Sequence, residues 1–358
     1  MTLTNNKQNL PLMDAKNMEK LARRHGECVT VLLPATHPGA PEKDKLATLK
    51  GLMRAEGAAV DSAMVKKMEE ALGERELSGG GPGVAIFAGE DFLEVYGAPV
   101  TTAKVVIREQ FFVLPTLLDA CLDQEFVILG LSKKLLRLLQ FKEGFCRTME
   151  LPEGMPAKLE DSQGVESSNM KIKNHASSGS MPGGAGAVHF GTTSPHEDSD
   201  NHLEQWFGRV DEELAPIVGK RHLMLLGPED EVAAFRRVVK YCTLFEEQIV
   251  QGMKDLSVLE IAQMAGERAL SAQYAKGVAA MDKIREWKDR SAVATDGETA
   301  NAAAKAGRVQ VLCVSDSVAE EELVNETVVQ TLSHGGQVLS VREKEMSPGC
   351  LVAALLRY

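Results

Sequence analysis

Four of the eight histidines, His175, His189, His196 and His202, fall in or just beyond one stretch of the chain, beside Glu197, Asp198 and Asp200. Imidazole and carboxylate are the usual ligands of zinc and related metals, and a catalytic zinc takes three of them around an open position. His189, His196 and His202 are therefore the candidate set. Their spacing is not that of H-E-x-x-H, which puts two ligands on one helical face, because His196-Glu197 is followed by Asp200 where histidine is required. The expectation is that the chain holds no metal and no other cofactor. Covalent catalysis has less to stand on: no G-x-S-x-G elbow occurs, and no catalytic residue is assigned. Gly335-Gly336-Gln337 would let backbone fold around a glutamine amide able to orient water, but it falls between a helix end and a strand. There glycine is the ordinary C-terminal residue of the helix. The run Ser78-Gly79-Gly80-Gly81-Pro82-Gly83 follows a helix, precedes a strand and lacks lysine, so it reads as a connector and not as a phosphate loop.

Partners are bounded by charge and composition. The 358 residues carry 40 Lys and Arg against 51 Asp and Glu, a net charge of −11, which argues against a free-standing nucleic-acid binder, though not against a locally basic face. Two local basic groups stand out, Lys133, Lys134 and Arg137, and Arg236, Arg237 and Lys240; each also fits a solvated face. No apolar run approaches the ~20 residues that span a bilayer, and the polar start is not that of a signal peptide, so the expected location is cytoplasmic. Six scattered cysteines, without C-x-x-C, read as reduced core residues.

The elements that must position any site follow from periodicity. Asp14 to His25 is an amphipathic helix, Cys28 to Leu33 a strand, and Lys43 to Leu72 one long or broken helix with weak points at Gly51 and Gly57. Strands Val84 to Ala88, Phe92 to Tyr96 and Lys104 to Arg108 come next. The middle segment has a helix at Pro115 to Cys121 and strands at Phe126 to Leu131, Leu135 to Phe141 and Phe145 to Met149. Residues 152–196 then lack apolar periodicity, and loops of more than ~12–15 residues in a compact domain are usually functional or disordered. Asp198 or Ser199 can cap a helix whose apolar face is Leu203, Trp206, Phe207, Val210 and Leu214. Strand His222 to Leu226, helix Glu229 to Tyr241 and amphipathic segments Phe245 to Met253 and Val258 to Trp287 follow, then a loop from Asp289 to Thr299. A terminal α/β domain has a helix at Ala300 to Ala306, strand Val309 to Val314, a helix through Leu323 to Leu332, and strands Val338 to Val341 and Leu351 to Leu356. The fold class is α/β (α+β) in three domains: 1–110, 111–242 and 243–358.

CVTVLLPATHPG in the first segment, FVILGLSKKLLRLLQF in the second, AAAKAGRVQVLCV and TLSHGGQVLSV in the third and the terminal AALLRY together resemble a known family. The chain is similar, over nearly its whole length, to the bacterial members of the archaeo-eukaryotic peptide-release-factor superfamily, relatives of Pelota and of class-one termination factors. The resemblance implies an RNase-H-like sheet in the middle domain and a third domain like the α/β/α proteins that bind kink-turns in ribosomal RNA. It also implies that the long middle loop enters the peptidyl-transferase centre, where true release factors place a hydrolytic water with Gly-Gly-Gln. Here that place reads Met181-Pro182-Gly183-Gly184-Ala185-Gly186, and alanine has no polar side-chain atom.

The resemblance therefore implies a ribosome-associated factor of the release, rescue or hibernation type that acts by binding and is not an enzyme. Its partners would be the ribosome, through ribosomal RNA or tRNA, and neither membrane nor DNA. Lys171, Lys173 and His175 would meet phosphates, and Gly183, Gly184, Ala185 and Gly186 would let backbone N–H groups approach RNA closely. Two alternatives remain: a hydrolase of peptidyl-tRNA or a metal-dependent one using His189, His196 and His202, and a protein-binding scaffold.

Overall fold

The computed structural model describes residues 10–35, 43–56, 61–73, 83–122, 125–159, 195–288, 292–318 and 321–357. Its elements run, in chain order, as helix α1 (Ala15–Ala22), strand β1 (Cys28–Leu33), helices α2 (Lys43–Glu56) and α3 (Ser62–Gly73), and strands β2 (Gly83–Gly89), β3 (Phe92–Ala98) and β4 (Lys104–Arg108). A 3-10 turn (Leu114–Thr116) leads into α4 (Leu117–Cys121), followed by β5 (Glu125–Gly130), β6 (Arg137–Lys142), β7 (Phe145–Met149), α5 (Pro195–Val218), β8 (His222–Gly227) and α6 (Glu229–Val238). The chain closes with β9 (Thr243–Leu244), β10 (Ile249–Val250), α7 (Val258–Glu286), β11 (Val293–Ala294), α8 (Gly297–Lys305), β12 (Val309–Ser315), α9 (Glu322–Ser333), β13 (Gln337–Val341) and β14 (Val352–Leu356). The class is mixed α/β, as expected.

Contacts divide the chain into two compact units, one formed by Met1–Asp123 with Leu270–Tyr358 and the other by Gln124–Ala269. The first unit contains two four-stranded sheets, ordered β3-β2-β1-β4 and β11-β14-β12-β13. β1 is buried along its whole length because both of its faces are covered. Val29, Val31 and Leu33 point with Val84 and Ile86 toward Leu49, Met53, Met68 and Leu72 of α2 and α3. Cys28 and Leu32 point with Ala85 and Phe87 into a second core that also holds Met18, Phe111, Val324 and Val328.

That second core joins the first sheet's elements to the helices of the last one. At its centre Asn325 of α9, 5% exposed, accepts N–H bonds from Val113 (2.8 Å) and Leu114 (3.4 Å) and donates to the carbonyl of Phe111 (3.1 Å). Thr30 of β1 accepts from Phe112 N–H at 3.0 Å. Residues 111–122 therefore pack in the first unit, although the sequence reading started the middle domain at 111.

In the last sheet β12 and β13 pair in parallel, joined by α9 and its terminus. Gly335 has φ +71°, its N–H bonds Leu332 O at 3.0 Å and that of Gly336 bonds Thr331 O at 2.8 Å. This double capture of helix carbonyls is a Schellman terminus, the structural role expected for the glycine pair. Gly277 of α7 is needed for a different reason: a Cβ there would meet Val341 Cγ1 at 2.7 Å, so the helix lies directly on β13.

The second unit has one sheet, ordered β10-β8-β5-β6-β7, with β9 also pairing β8. β5, β6 and β7 form an antiparallel meander, and β5 and β8 are parallel. One face, Val127, Leu129, Leu223 and Leu225, packs against Trp206, Phe207, Val210 and Leu214 of α5 and Phe235 of α6, the apolar stripe read from the sequence. Several boundaries differ. α5 begins at Pro195, a residue favoured in a first turn, so Asp198 and Ser199 lie within the helix and do not cap it. Residues 243–250 contribute β9 and β10 to this sheet, so the amphipathic segment Phe245 to Met253 lies in the second unit and not with the terminal segment. The loop read at Asp289 to Thr299 contains β11 and the start of α8, whose cap is Asp296, accepting from Thr299 N–H at 2.9 Å.

Two measurements test this packing. Asn325→Ala leaves three buried backbone groups without their partner, each unmet group costing about 1–3 kcal/mol; urea denaturation of the variant is expected to show a loss at the upper end of that range. Burial pushes the Asp119 carboxyl of α4 up to about 6. A carboxyl raised in the folded state stabilises fully below its unfolded value of about 3.9 and loses that contribution as pH rises toward 6. Relative to wild type, Asp119→Asn is expected to gain stability between pH 4 and 6, seen as a flatter dependence of the urea midpoint on pH.

Candidate functional site

The candidate contact residues Lys171, Lys173, His175, Gly183, Gly184, Ala185 and Gly186 lie outside the described residues, as does His189. The chain leading up to them is firmly placed. After β7, Met155 is buried at 7% exposure, Trp206 Nε1 donates to Pro156 O at 2.9 Å, Leu136 N–H bonds Ala157 O at 3.2 Å, and Leu159 N–H bonds Lys133 O at 3.1 Å. The 150–159 segment is thus laid along the start of β6 and the indole of α5. These bonds pair partly buried polar groups along the way.

On the far side of 160–194 the chain enters α5, which carries His196 and His202. Six residues on a helix turn through about 600°, which leaves these two positions roughly 120° apart around the axis and about 9 Å apart along it. The two positions therefore do not share a helical face. Among the described residues no three His, Cys, Asp or Glu side chains gather to hold a metal.

The second unit does contain a built polar feature that sequence reasoning missed. Asp211 of α5 is 1% exposed, and its carboxylate accepts the N–H groups of Lys240 (2.7 Å), Tyr241 (2.9 Å) and Cys242 (3.0 Å). Charge-assisted bonds to three successive amides hold a turn rigidly. They also explain why α6 stops at Val238 and does not run on to Tyr241: the amides that would continue it are bonded to α5. Cys242 beneath the turn has its thiol pushed up to about 12, first by burial and then by Asp211, and so stays protonated and inert. The only sequence signal was an aspartate one turn after Phe207, between Val210 and Leu214 on the apolar side of its helix.

Above this turn lies a groove of about 590 Å³ between α5 and α6, lined by Gln205, Arg209, Arg237, Lys240 and Tyr241 among others. Tyr241 is 60% exposed, a large ring standing in solvent. Two of the groove's carboxylates are committed, Asp211 to the backbone and Glu204 to Arg237 at 2.8 Å. Of the basic group Arg236, Arg237 and Lys240, the structure therefore gives two members a shared site beside an aromatic face. Lys133 and Lys134 lie exposed where the 150–159 segment departs, while Arg137 turns inward to donate to Leu256 O at 3.0 Å.

Residues 124–269 match the model of the bacterial archaeo-eukaryotic release factor family 6. The family read from the sequence is the one this match supports, and its bounds are those of the second unit. The release-factor-like unit thus includes both the α5/α6 groove and the segment with the candidate contact residues. No curated protein matches the chain. Similar solved structures include the archaeal translation termination factor aRF1, 16% identical over 97% of this chain and 99% of that one, with a TM-score of 0.24. A model of ribosome-bound archaeal Pelota and ABCE1 is 13% identical over 100% and 98%, with a TM-score of 0.41. S. cerevisiae Dom34, a translation termination-like factor, is 11% identical over 98% and 92%, with a TM-score of 0.38.

The Asp211 turn yields a direct test. Asp211→Asn keeps the volume but brings an amide donor against backbone donors, and hydrogen bonds to charged groups are worth about 1.5–3 kcal/mol. Urea denaturation is expected to show a loss at the top of that range, whereas Tyr241→Ala, a surface change, is expected to stay within about 0.5 kcal/mol of wild type.

Proposed function

We propose that the protein is a ribosome-associated, translation-factor-like protein of the release, rescue or hibernation type that acts by binding RNA and not by hydrolysing peptidyl-tRNA. The observation that carries the reading is the match of its entire second unit to a bacterial release-factor family. The α5/α6 groove supports an RNA partner in chemical terms. Lys240 and Arg209 suit phosphates beside the Glu204-paired Arg237, with Glu212 in the same wall limiting the charge the groove takes, and an exposed Tyr241 suits the face of an unstacked base.

Binding without hydrolysis is favoured by the run Met181-Pro182-Gly183-Gly184-Ala185-Gly186, in which Ala185 offers nothing to orient a water. Lys171, Lys173 and His175 would add phosphate contacts, and the small residues 183–186 would bring backbone N–H groups close to RNA. No described helix is long and apolar enough to cross a membrane, and the working place proposed is the cytoplasm.

The test is co-sedimentation with ribosomes over a salt series. Saturable binding that weakens with salt is expected for the wild type. Replacing residues 165–195 by a short Gly/Ser linker is expected to abolish it, and Lys171→Ala with Lys173→Ala to weaken it and flatten its salt slope. Tyr241→Ala removes one stacking contact and is expected to weaken binding by about tenfold. Absence of binding at low salt sinks the reading, and release of the peptide from peptidyl-tRNA by the purified protein overturns the non-catalytic part of it.

A further inference from the structure

Gly208 stands in the middle of α5 and lines the groove between that helix and α6. A glycine inside a helix lowers its stability relative to alanine, so its presence calls for a local reason. Two usual reasons are missing. Gly208 is not among the positive-φ glycines, and a Cβ built on it meets nothing within 4 Å beyond its own stretch of helix. Neither backbone conformation nor packing among the described residues therefore requires a bare Cα there. What the glycine supplies is open helix backbone on the groove wall, which a flat group can approach more closely than any side chain would allow.

The same groove carries Tyr241, 60% exposed, on the turn that Asp211 clamps. Its charges are balanced: Arg209, Arg237 and Lys240 are matched by Glu204, Asp211 and Glu212. Duplex RNA is held through its phosphates and 2′-hydroxyls across a whole groove, which asks for a cationic surface that this lining does not offer. Stacking on an aromatic face asks for no net charge. Lys240, exposed and without an ion-pair partner among the described residues, suits a single phosphate, and the exposed amide of Gln205 can both donate to and accept from a base edge.

We propose that the groove receives one unpaired nucleotide, its base stacked on the Tyr241 ring and lying over the bare backbone at Gly208, and that it rejects duplex RNA. The inference rests on the RNA-binding reading above and adds the kind of RNA that this groove takes.

Fluorescence anisotropy of the full-length protein tests it, with a labelled oligouridylate of roughly 12 nucleotides and an RNA duplex of equal length as probes. The single strand is expected to bind at least tenfold more tightly than the duplex. Gly208→Ala is expected to raise the melting temperature yet weaken the single strand at least fivefold, with the salt slope unchanged because stacking releases no counterions. Gly51→Ala is the control: Gly51 of α2 is equally open and lies outside the groove, so the same gain in stability is expected with no loss of binding. Tyr241→Ala, which leaves α5 untouched, is expected to lose affinity as Gly208→Ala does. Undiminished binding by Gly208→Ala, an equal loss in Gly51→Ala, or duplex binding as tight as that of the single strand overturns the proposal. A protein that co-sediments with ribosomes but takes no single strand at up to ~100 µM, the weak end of non-specific affinities, sinks this inference and leaves the ribosome reading standing; failure of both assays sinks both.

Discussion

The first unit depends on the need of buried backbone to find partners. The stretch Phe111 to Leu114 crosses a core of apolar side chains, where an unpaired amide or carbonyl is costly. One side chain from the far end of the sequence, Asn325, serves three of those groups, and Thr30 serves a fourth. Apolar burial brings α1, α4 and α9 together but is indifferent to small slides. The amide fixes the register, because its donor and acceptor each fit only one alignment. The ion pair between Arg108 and Glu322 lies on the same path at the surface, where solvent screening leaves it a minor part.

The second unit solves the same problem with the opposite charge logic. There a carboxylate is buried, and three amides from a neighbouring turn neutralise its loss of water. Two closures, one by an amide and one by an acid, thus hold elements that are distant in sequence. Both residues stand among apolar neighbours on amphipathic helices, where a polar side chain is tolerated only with all its partners in place.

Much of the element order was legible because strands and helices obeyed their periods. The wholly apolar run at Cys28 to Leu33 announced a strand covered on both sides, and the stripe from Leu203 to Leu214 announced the core face of α5. The long-range partners were not legible. Nothing near Asn325 in the sequence points to residue 113, and nothing near Asp211 points to residue 240, since such pairings are decided by how elements pack. Helix Glu229 to Val238 was read three residues too long for that reason: its own residues favour continuing, and Asp211 overrules them. Pro195 was passed over as a helix start because the apolar periodicity begins only at Leu203. Of the candidate site, residue types and the family resemblance were visible, while the groove beside Tyr241 needed three dimensions.

The Asp211 turn separates where the groove's ring stands from what that ring is. Its bonds reach only main-chain N–H groups, which every residue but proline provides. The side chain at 241 takes no part in its own placement. Such a turn is a fixed mount with an interchangeable head: related chains can exchange tyrosine for another residue, and so change what the groove recognises, without paying for it in the fold.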